Sequence, residues 1–308
     1  MKKLLYIALF FGFGLNAVAQ QEAMFTHYMF NTLNINSGYA GSRNALSVVA
    51  INRNQWVGFE GAPITQTVSL HSPLFKKSFA GGLTIMKDKI GPTNLSTVTL
   101  DLAYRMKVSE TATLSFGLKG GLNVFNSQLT TLDLTTQGDQ SFSNNFKSKL
   151  MPNFGFGMYY QSTRFYAGLS TPKILENSTA SSAVSGGNFL STKRHYYFIG
   201  GGIFNLSPRL VFRPSTFVKA TLGAPLEVDL TSLFVVDDLF WGGAMFRTGD
   251  AVGLLFGINI NKQLQFGYSF DWSYAINSVT SKAGSHEIML RYEFIFRDKE
   301  KIRSPRYF

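Results

Sequence analysis

Between Arg53 and Leu74 the chain reads RNQWVGFEGAPITQTVSLHSPL, placing an arginine, a carboxylate, a histidine and a serine in one short span. A histidine beside a serine suggests nucleophilic chemistry, which requires the two side chains to share a proton at hydrogen-bond distance. His71 and Ser72 are adjacent in a stretch that alternates polar and apolar residues. Neighbouring residues of a strand point to opposite faces, so these two cannot act as base and nucleophile. His27, His71, His195 and His286 are the four histidines, none with metal-ligand spacing to another, and there is no cysteine to assist. Asp237-Asp238 and TQGDQ at 136–140 lack the spacing of a calcium loop and read as solvated turns. NLS at 94–96 and NST at 177–179 match the glycosylation acceptor pattern without further support, and GGG at 200–202 predicts a bend or bulge within a strand. The residues therefore assign no catalytic group, no cofactor and no metal, and the expectation is that the protein is not an enzyme.

The elements that position these residues follow from the overall pattern. The chain opens MKKLLYIALFFGFGLNAVAQ, with two lysines, an apolar run and the small residues Ala17-Val18-Ala19. This is the pattern of a secretory signal, with cleavage expected near Ala19 and a mature start at Gln20. The run is too short for a spanning helix, which needs about 20 apolar residues. The remainder is rich in Phe and Gly, 29 of each, with 15% charged residues. The formal charge of +11 becomes +9 once Lys2 and Lys3 leave with the signal, a balance suited to solvated tails and anionic lipid headgroups rather than nucleic acid.

Alternation recurs throughout. In 113–125, Leu114, Phe116, Leu118, Leu122 and Val124 share one face, and Ser115, Gly117, Lys119, Gly121 and Asn123 the other. In 264–272 and 286–296 the same division separates Phe, Tyr and Leu from Gly, Ser and isolated charges. Segments near ten residues with an aromatic-rich face suit tilted membrane strands, and only a closed sheet leaves no open edge in hydrocarbon. The expected fold is all-β: an antiparallel up-and-down transmembrane β-barrel in the outer membrane. About fourteen strands are predicted, at 45–56, 64–72, 78–86, 95–106, 113–125, 151–160, 164–170, 196–205, 210–219, 226–235, 239–247, 251–260, 264–272 and 286–296. The longest connections, 126–150, 171–195 and 273–285, all follow odd-numbered strands, which places them outside and the short turns in the periplasm.

The expected organisation is a signal at 1–19, a periplasmic or lumenal segment at 20–44, the barrel at 45–296 and a basic periplasmic tail at 297–308. Asp101, Arg105, Lys119, Arg213, Lys219, Glu227, Asp229, Asp271, Glu287, Arg291 and Glu293 should point into the lumen. Their mixed signs favour ion pairs across the lumen over a selective pore.

Several runs carry a family resemblance. FTHYMFNTLNINSGYAGS at 25–42, the 53–74 stretch, KDKIGPT at 87–93, RHYYFIGGG at 194–202 and the closing SPRYF together resemble the PorP/SprF family of the Bacteroidota type IX secretion system. One departure is Asn36-Ser37, where the family usually has Asn-Pro, a change expected to loosen that turn. The resemblance implies an outer-membrane barrel that supports export or surface attachment of a secreted adhesin, often one used in gliding. It also implies contact with the adhesin's C-terminal sorting domain and with a periplasmic ring or peptidoglycan-binding lipoproteins. Loops 57–63, 87–94, 126–150 and 171–195 would carry the outer contacts. The residues implied there are Arg53, Asn54, Gln55, Trp56, Phe59, Glu60, Asp88, Lys89, Ile90, Gly91 and Pro92, with Trp56 at the headgroup level. Tyr28, Phe30, Tyr39, Arg303 and Arg306 would face the periplasmic partners. The competing readings are a porin or small-molecule transporter, and an outer-membrane hydrolase acting through His71 or Ser72.

Overall fold

A computed structural model describes residues 23–74, 78–131, 145–180, 188–274 and 283–295. Fourteen strands, each antiparallel to the next, form a closed barrel. In chain order they are β1 Leu46–Asn54, β2 Ile64–Pro73, β3 Phe79–Ile90, β4 Thr93–Lys107, β5 Thr113–Ser127, β6 Phe146–Gln161 and β7 Phe165–Thr171. They continue as β8 His195–Gly202, β9 Leu210–Thr221, β10 Glu227–Val236, β11 Phe240–Arg247, β12 Ala251–Asn259, β13 Leu264–Ser273 and β14 Ser285–Phe294. β1 closes on β14 in continuous register, from Leu46 opposite Phe294 to Asn54 opposite His286. Each of these fourteen strands has a neighbour on both sides for its backbone polar groups.

The alternation maps onto the barrel as expected. Leu100, Leu102, Leu118, Leu150 and Phe154 face outward and are more than half exposed, forming an apolar band for lipid. Aromatic residues gather at the two rims of that band: Phe165, Phe204, Phe212 and Phe234 pack in a row at the short-turn end, and Phe246 stacks on Tyr274 at the other. Such girdles suit the headgroup level.

Two details differ from the sequence reading. β3 to β6 run to 12, 15, 15 and 16 residues, so 87–94 is mostly strand and only Gly91 and Pro92 form its tip. The extensions carry Lys87, Lys89, Asn94, Ser96, Asn126, Lys147 and Lys149; alternation ends where lipid ends, while the backbone ladder continues. The eighth strand stops at Gly202, and Phe204–Ser207 forms a separate short strand paired with β9 across a bulge. Gly201 also serves close approach, since a Cβ there would meet the Tyr166 ring at 2.6 Å.

Of the two placements expected for the amino-terminal segment, periplasmic or lumenal, the structure has the second. Residues 23–44 lie inside the barrel as an irregular chain containing one helical turn, Thr32–Ile35, and one 3-10 turn, Ser37–Tyr39. Phe25 and Phe30 pack against Val49, Ile51, Leu233, Val235, Trp241, Met245, Leu255 and Met289, all directed inward. Tyr28, Leu33, Tyr39 and Ala40 pack against Tyr159, Tyr166, Tyr197, Ile199 and Phe217. One side of the lumen is thus apolar, and the segment supplies its cover.

Glycines on β5, β6 and β7 open the groove that the segment needs. A Cβ on Gly117 would lie 2.3 Å from the Ser37 backbone, one on Gly157 2.2 Å from the Asn36 Oδ1, and one on Gly168 2.6 Å from the Asn36 Nδ2. Asn36 Nδ2 donates to the Met158 and Leu169 carbonyls, while its Oδ1 accepts from the Gly38 N–H and caps the 3-10 turn. The turn that lacks proline is therefore fixed by its asparagine and by the groove around it. Gly157→Ala should cost about 1–3 kcal/mol through overpacking. Gly120→Ala, which meets nothing within 4 Å, should be nearly silent. The temperature at which gel migration becomes heat-modified measures both; equal shifts would contradict the groove.

Candidate functional site

Two arrangements are candidates: a buried charge network in the lumen and a rim at the long-loop end. The network begins at the seam where β1 meets β14. Arg53 and Glu287 are opposite in register and both point inward, with Arg53 2% exposed and Glu287 0%. Arg53 Nη1 lies 2.7 Å from Asp271 Oδ2 and 3.1 Å from Glu287 Oε2, and donates to Thr26 Oγ1 at 2.9 Å. Glu287 also accepts the backbone N–H groups of Thr26 and His27, at 2.9 and 2.8 Å, and pairs with His27 Nδ1 at 2.7 Å. Thr26 Oγ1 donates to Asp271 Oδ2 at 2.5 Å. One arginine and two carboxylates thus bind two barrel strands, a third strand and the lumenal segment at one point.

The segment has further anchors along its length. Tyr28 shares a hydrogen bond with Ser215 and donates to Thr231. Lys119 Nζ donates to the Leu33 carbonyl, Ser170 to that of Ile35, and Arg291 to that of Phe30. Gly41 donates its N–H to His71 Nδ1, Arg43 pairs with Glu293 at 2.5 Å, and Arg105 donates to Asn44.

The expected lumenal charges do point inward, and they pair mainly with neighbours on the next strand rather than across the lumen. Asp101 with Lys119, Glu227 with Lys219 and Asp229 with Arg247 are each opposite in register, at 2.9, 2.9 and 2.8 Å. Directly opposed opposite charges stabilise a sheet, and pairing is what permits a charge to be buried. Arg43, Arg53 and Arg247 belong to this set and were not among the residues expected there.

Above and below the segment lie two cavities that share no lining residue. One, of about 150 Å³, opens at the long-loop side among Met24, Asn31, Met86, Asp88, Asn123 and Lys193. The other, of about 630 Å³, opens at the short-turn side among Thr32, Arg43, Arg213, Lys262, Arg291 and Glu293.

The rim gathers most of the residues implied by the family motifs. Phe59, Glu60, Lys89 and Ile90 are exposed, with Trp56 half-buried in a left-handed turn. The two motif tips meet: the Gly91 N–H donates to the Gly61 carbonyl at 2.9 Å, and the Pro92 carbonyl accepts from Gln128. Gln55 donates its N–H to the Pro63 carbonyl, and Asp88 accepts from Thr65 beneath the tip at 2.7 Å. Asn54 ends β1 beside this turn. Val57, Phe59 and Ile90 give the rim an apolar character.

Several expectations need correction. Arg53 is not on the rim but inside the lumen, because inward-facing positions of β1 run Ser47, Val49, Ile51, Arg53. Tyr28, Phe30 and Tyr39 are buried in the barrel, at 3%, 7% and 2% exposed, rather than displayed on a periplasmic surface. Arg303 and Arg306 lie outside the described residues, as do most of loop 126–150 and the tail 297–308. His71 is buried against Tyr39 and Gly41 while Ser72 bonds the Pro73 carbonyl, so the pair does not meet as base and nucleophile. Among the described residues no group of three His, Asp or Glu side chains is placed to hold a metal.

Breaking the network should be costly, since removing one partner of a buried ion pair leaves a charge unpaired. Arg53→Met should destabilise the barrel by about 3–5 kcal/mol, and adding Glu287→Gln should recover part of that loss. Urea titration of the detergent-solubilised protein measures both, and strictly additive effects would contradict the coupling.

No curated protein matches the chain. Among solved structures it is similar to the CymD monoaromatic hydrocarbon channel, at 11% identity and a TM-score of 0.49, covering 91% of this chain and 96% of that one. It is also similar to Omp33 of Acinetobacter baumannii, at 10% identity and a TM-score of 0.45, covering 82% and 98% respectively. The model of the type IX secretion system membrane protein PorP/SprF matches residues 17–292, and the chain belongs to that family.

Proposed function

We propose that this protein is a non-enzymatic outer-membrane component of type IX secretion that binds the C-terminal sorting domain of a secreted surface adhesin. Binding at the long-loop rim would support the adhesin's export or its attachment at the surface, including attachment of a gliding adhesin. The short-turn end would face the periplasmic ring or peptidoglycan-binding lipoproteins, with the basic tail 297–308 adding charge there.

The observation that carries this reading is the composite rim. Two separate family motifs converge through the Gly91–Gly61 hydrogen bond, and they expose Val57, Phe59 and Ile90 together. A folded tip held by backbone bonds and presenting apolar side chains suits protein recognition, in which a few such anchors dominate the energetics. Transport of small molecules is disfavoured by the segment at 23–44, which fills the middle of the lumen with buried side chains.

Deleting the gene should abolish surface display of one adhesin. Restoring it with a Phe59→Asp and Ile90→Asp chain should leave display at least tenfold lower, while heat-modifiable migration of the barrel stays normal. Flow cytometry with an antibody to the adhesin measures display, and unchanged display in the deletion strain would sink the proposal.

A further inference from the structure

The direction in which residues 23–44 traverse the lumen carries a consequence for the topology. Met24 and Phe25 line the cavity that opens among Asp88, Ile90, Thr93 and Leu95, at the long-loop ends of β3 and β4, with Lys193 beside it. Thr26 bonds Asp271 and Glu287, each within two residues of the long-loop end of its strand. Lower down, Leu33 meets Lys119 near the middle of β5, and Gly41 meets His71 two residues above the end of β2. At the short-turn end, Arg43 meets Glu293 and Asn44 meets Arg105. The chain therefore descends from the long-loop mouth to the short-turn mouth, and β1 carries it back up.

A strand the length of β1 spans about 30 Å at roughly 3.3 Å per residue. Cleavage near Ala19 leaves three residues ahead of Ala23, which reach at most about 11 Å even when fully extended. A terminus tethered at Ala23 is thus too short to return through the lumen to the other side.

We propose that the amino terminus of the mature chain is presented at the long-loop mouth, on the outer face of the membrane. The threading is held by buried interactions rather than by covalent closure: the Thr26, His27 and Arg53 contacts lie at the β1–β14 seam, so the segment and the seam stabilise each other. This inference depends on the membrane orientation, with long loops outside, and does not depend on the identity of the partner.

The chain has no cysteine, so single cysteines report cleanly. Ala23→Cys and Ser207→Cys, the latter exposed in a short-turn connection, would be treated on intact cells with a membrane-impermeant maleimide and then purified. The proposal expects Ala23→Cys to label on intact cells and Ser207→Cys only after the outer membrane is permeabilised. Labelling of both only after permeabilisation would overturn the threading, and labelling of Ser207→Cys on intact cells would overturn the orientation. If Ala23→Cys resists the reagent in both conditions, a protease-cleavable peptide inserted between Gln21 and Glu22 decides. Cleavage by protease added to intact cells supports the proposal, and protection there contradicts it.

Discussion

The structure depends on one buried arginine. Arg53 sits where the first and last strands close the barrel, and it neutralises Glu287 and Asp271 while bonding Thr26 of the lumenal segment. Two inward carboxylates so close together would be costly alone, and a lone arginine there equally so. Together they bind β1, β13, β14 and the segment at a single point. The backbone N–H groups of Thr26 and His27 spend their hydrogen bonds on Glu287, which gives an irregular chain a fixed place inside a regular sheet.

Around that point the lumen is divided by chemistry. One wall, from β10 through β14 to β1, is apolar and receives Phe25 and Phe30. The opposite wall, β5 to β7, is stripped to glycine where Asn36 and Ser37 press against it. Charges occur within both walls, Asp229 and Arg247 on β10 and β11 and Lys119 on β5, and are paired along the sheet. Each wall is unfavourable without the segment, one because it would expose apolar surface and the other because it would leave an open groove. The two walls and the segment thus make one filled lumen.

Much of the barrel was legible because its signal is local. Alternation in 113–125, 264–272 and 286–296 identifies both faces without any long-range information, and loop lengths then assign the two ends. The lumenal segment was not legible in the same way. It has no period, and its anchors lie up to 261 residues away, as with Thr26 and Glu287. A weaker clue was present: Val48-Val49-Ala50-Ile51 and Leu233-Phe234-Val235-Val236 are apolar on both faces. A strand between lipid and water would not be, so these runs announce an occupied lumen. The same runs explain why Arg53 was misplaced on the rim. With both faces of β1 apolar, its alternation does not say which side the arginine takes.

The central claim is that residues 23–44 occupy the lumen in this register, and a designed cross-link tests it most directly. Asn36 and Gly168 approach so closely that a Cβ on the glycine would lie 2.6 Å from the asparagine amide. Replacing both with cysteine removes that amide and sets two thiols within disulfide reach in a chain otherwise free of cysteine. Mild oxidation of the Asn36→Cys/Gly168→Cys protein in outer membranes should give an intramolecular disulfide, seen by intact mass and by faster migration after denaturation. Two thiols that remain free and both react with maleimide would contradict the account.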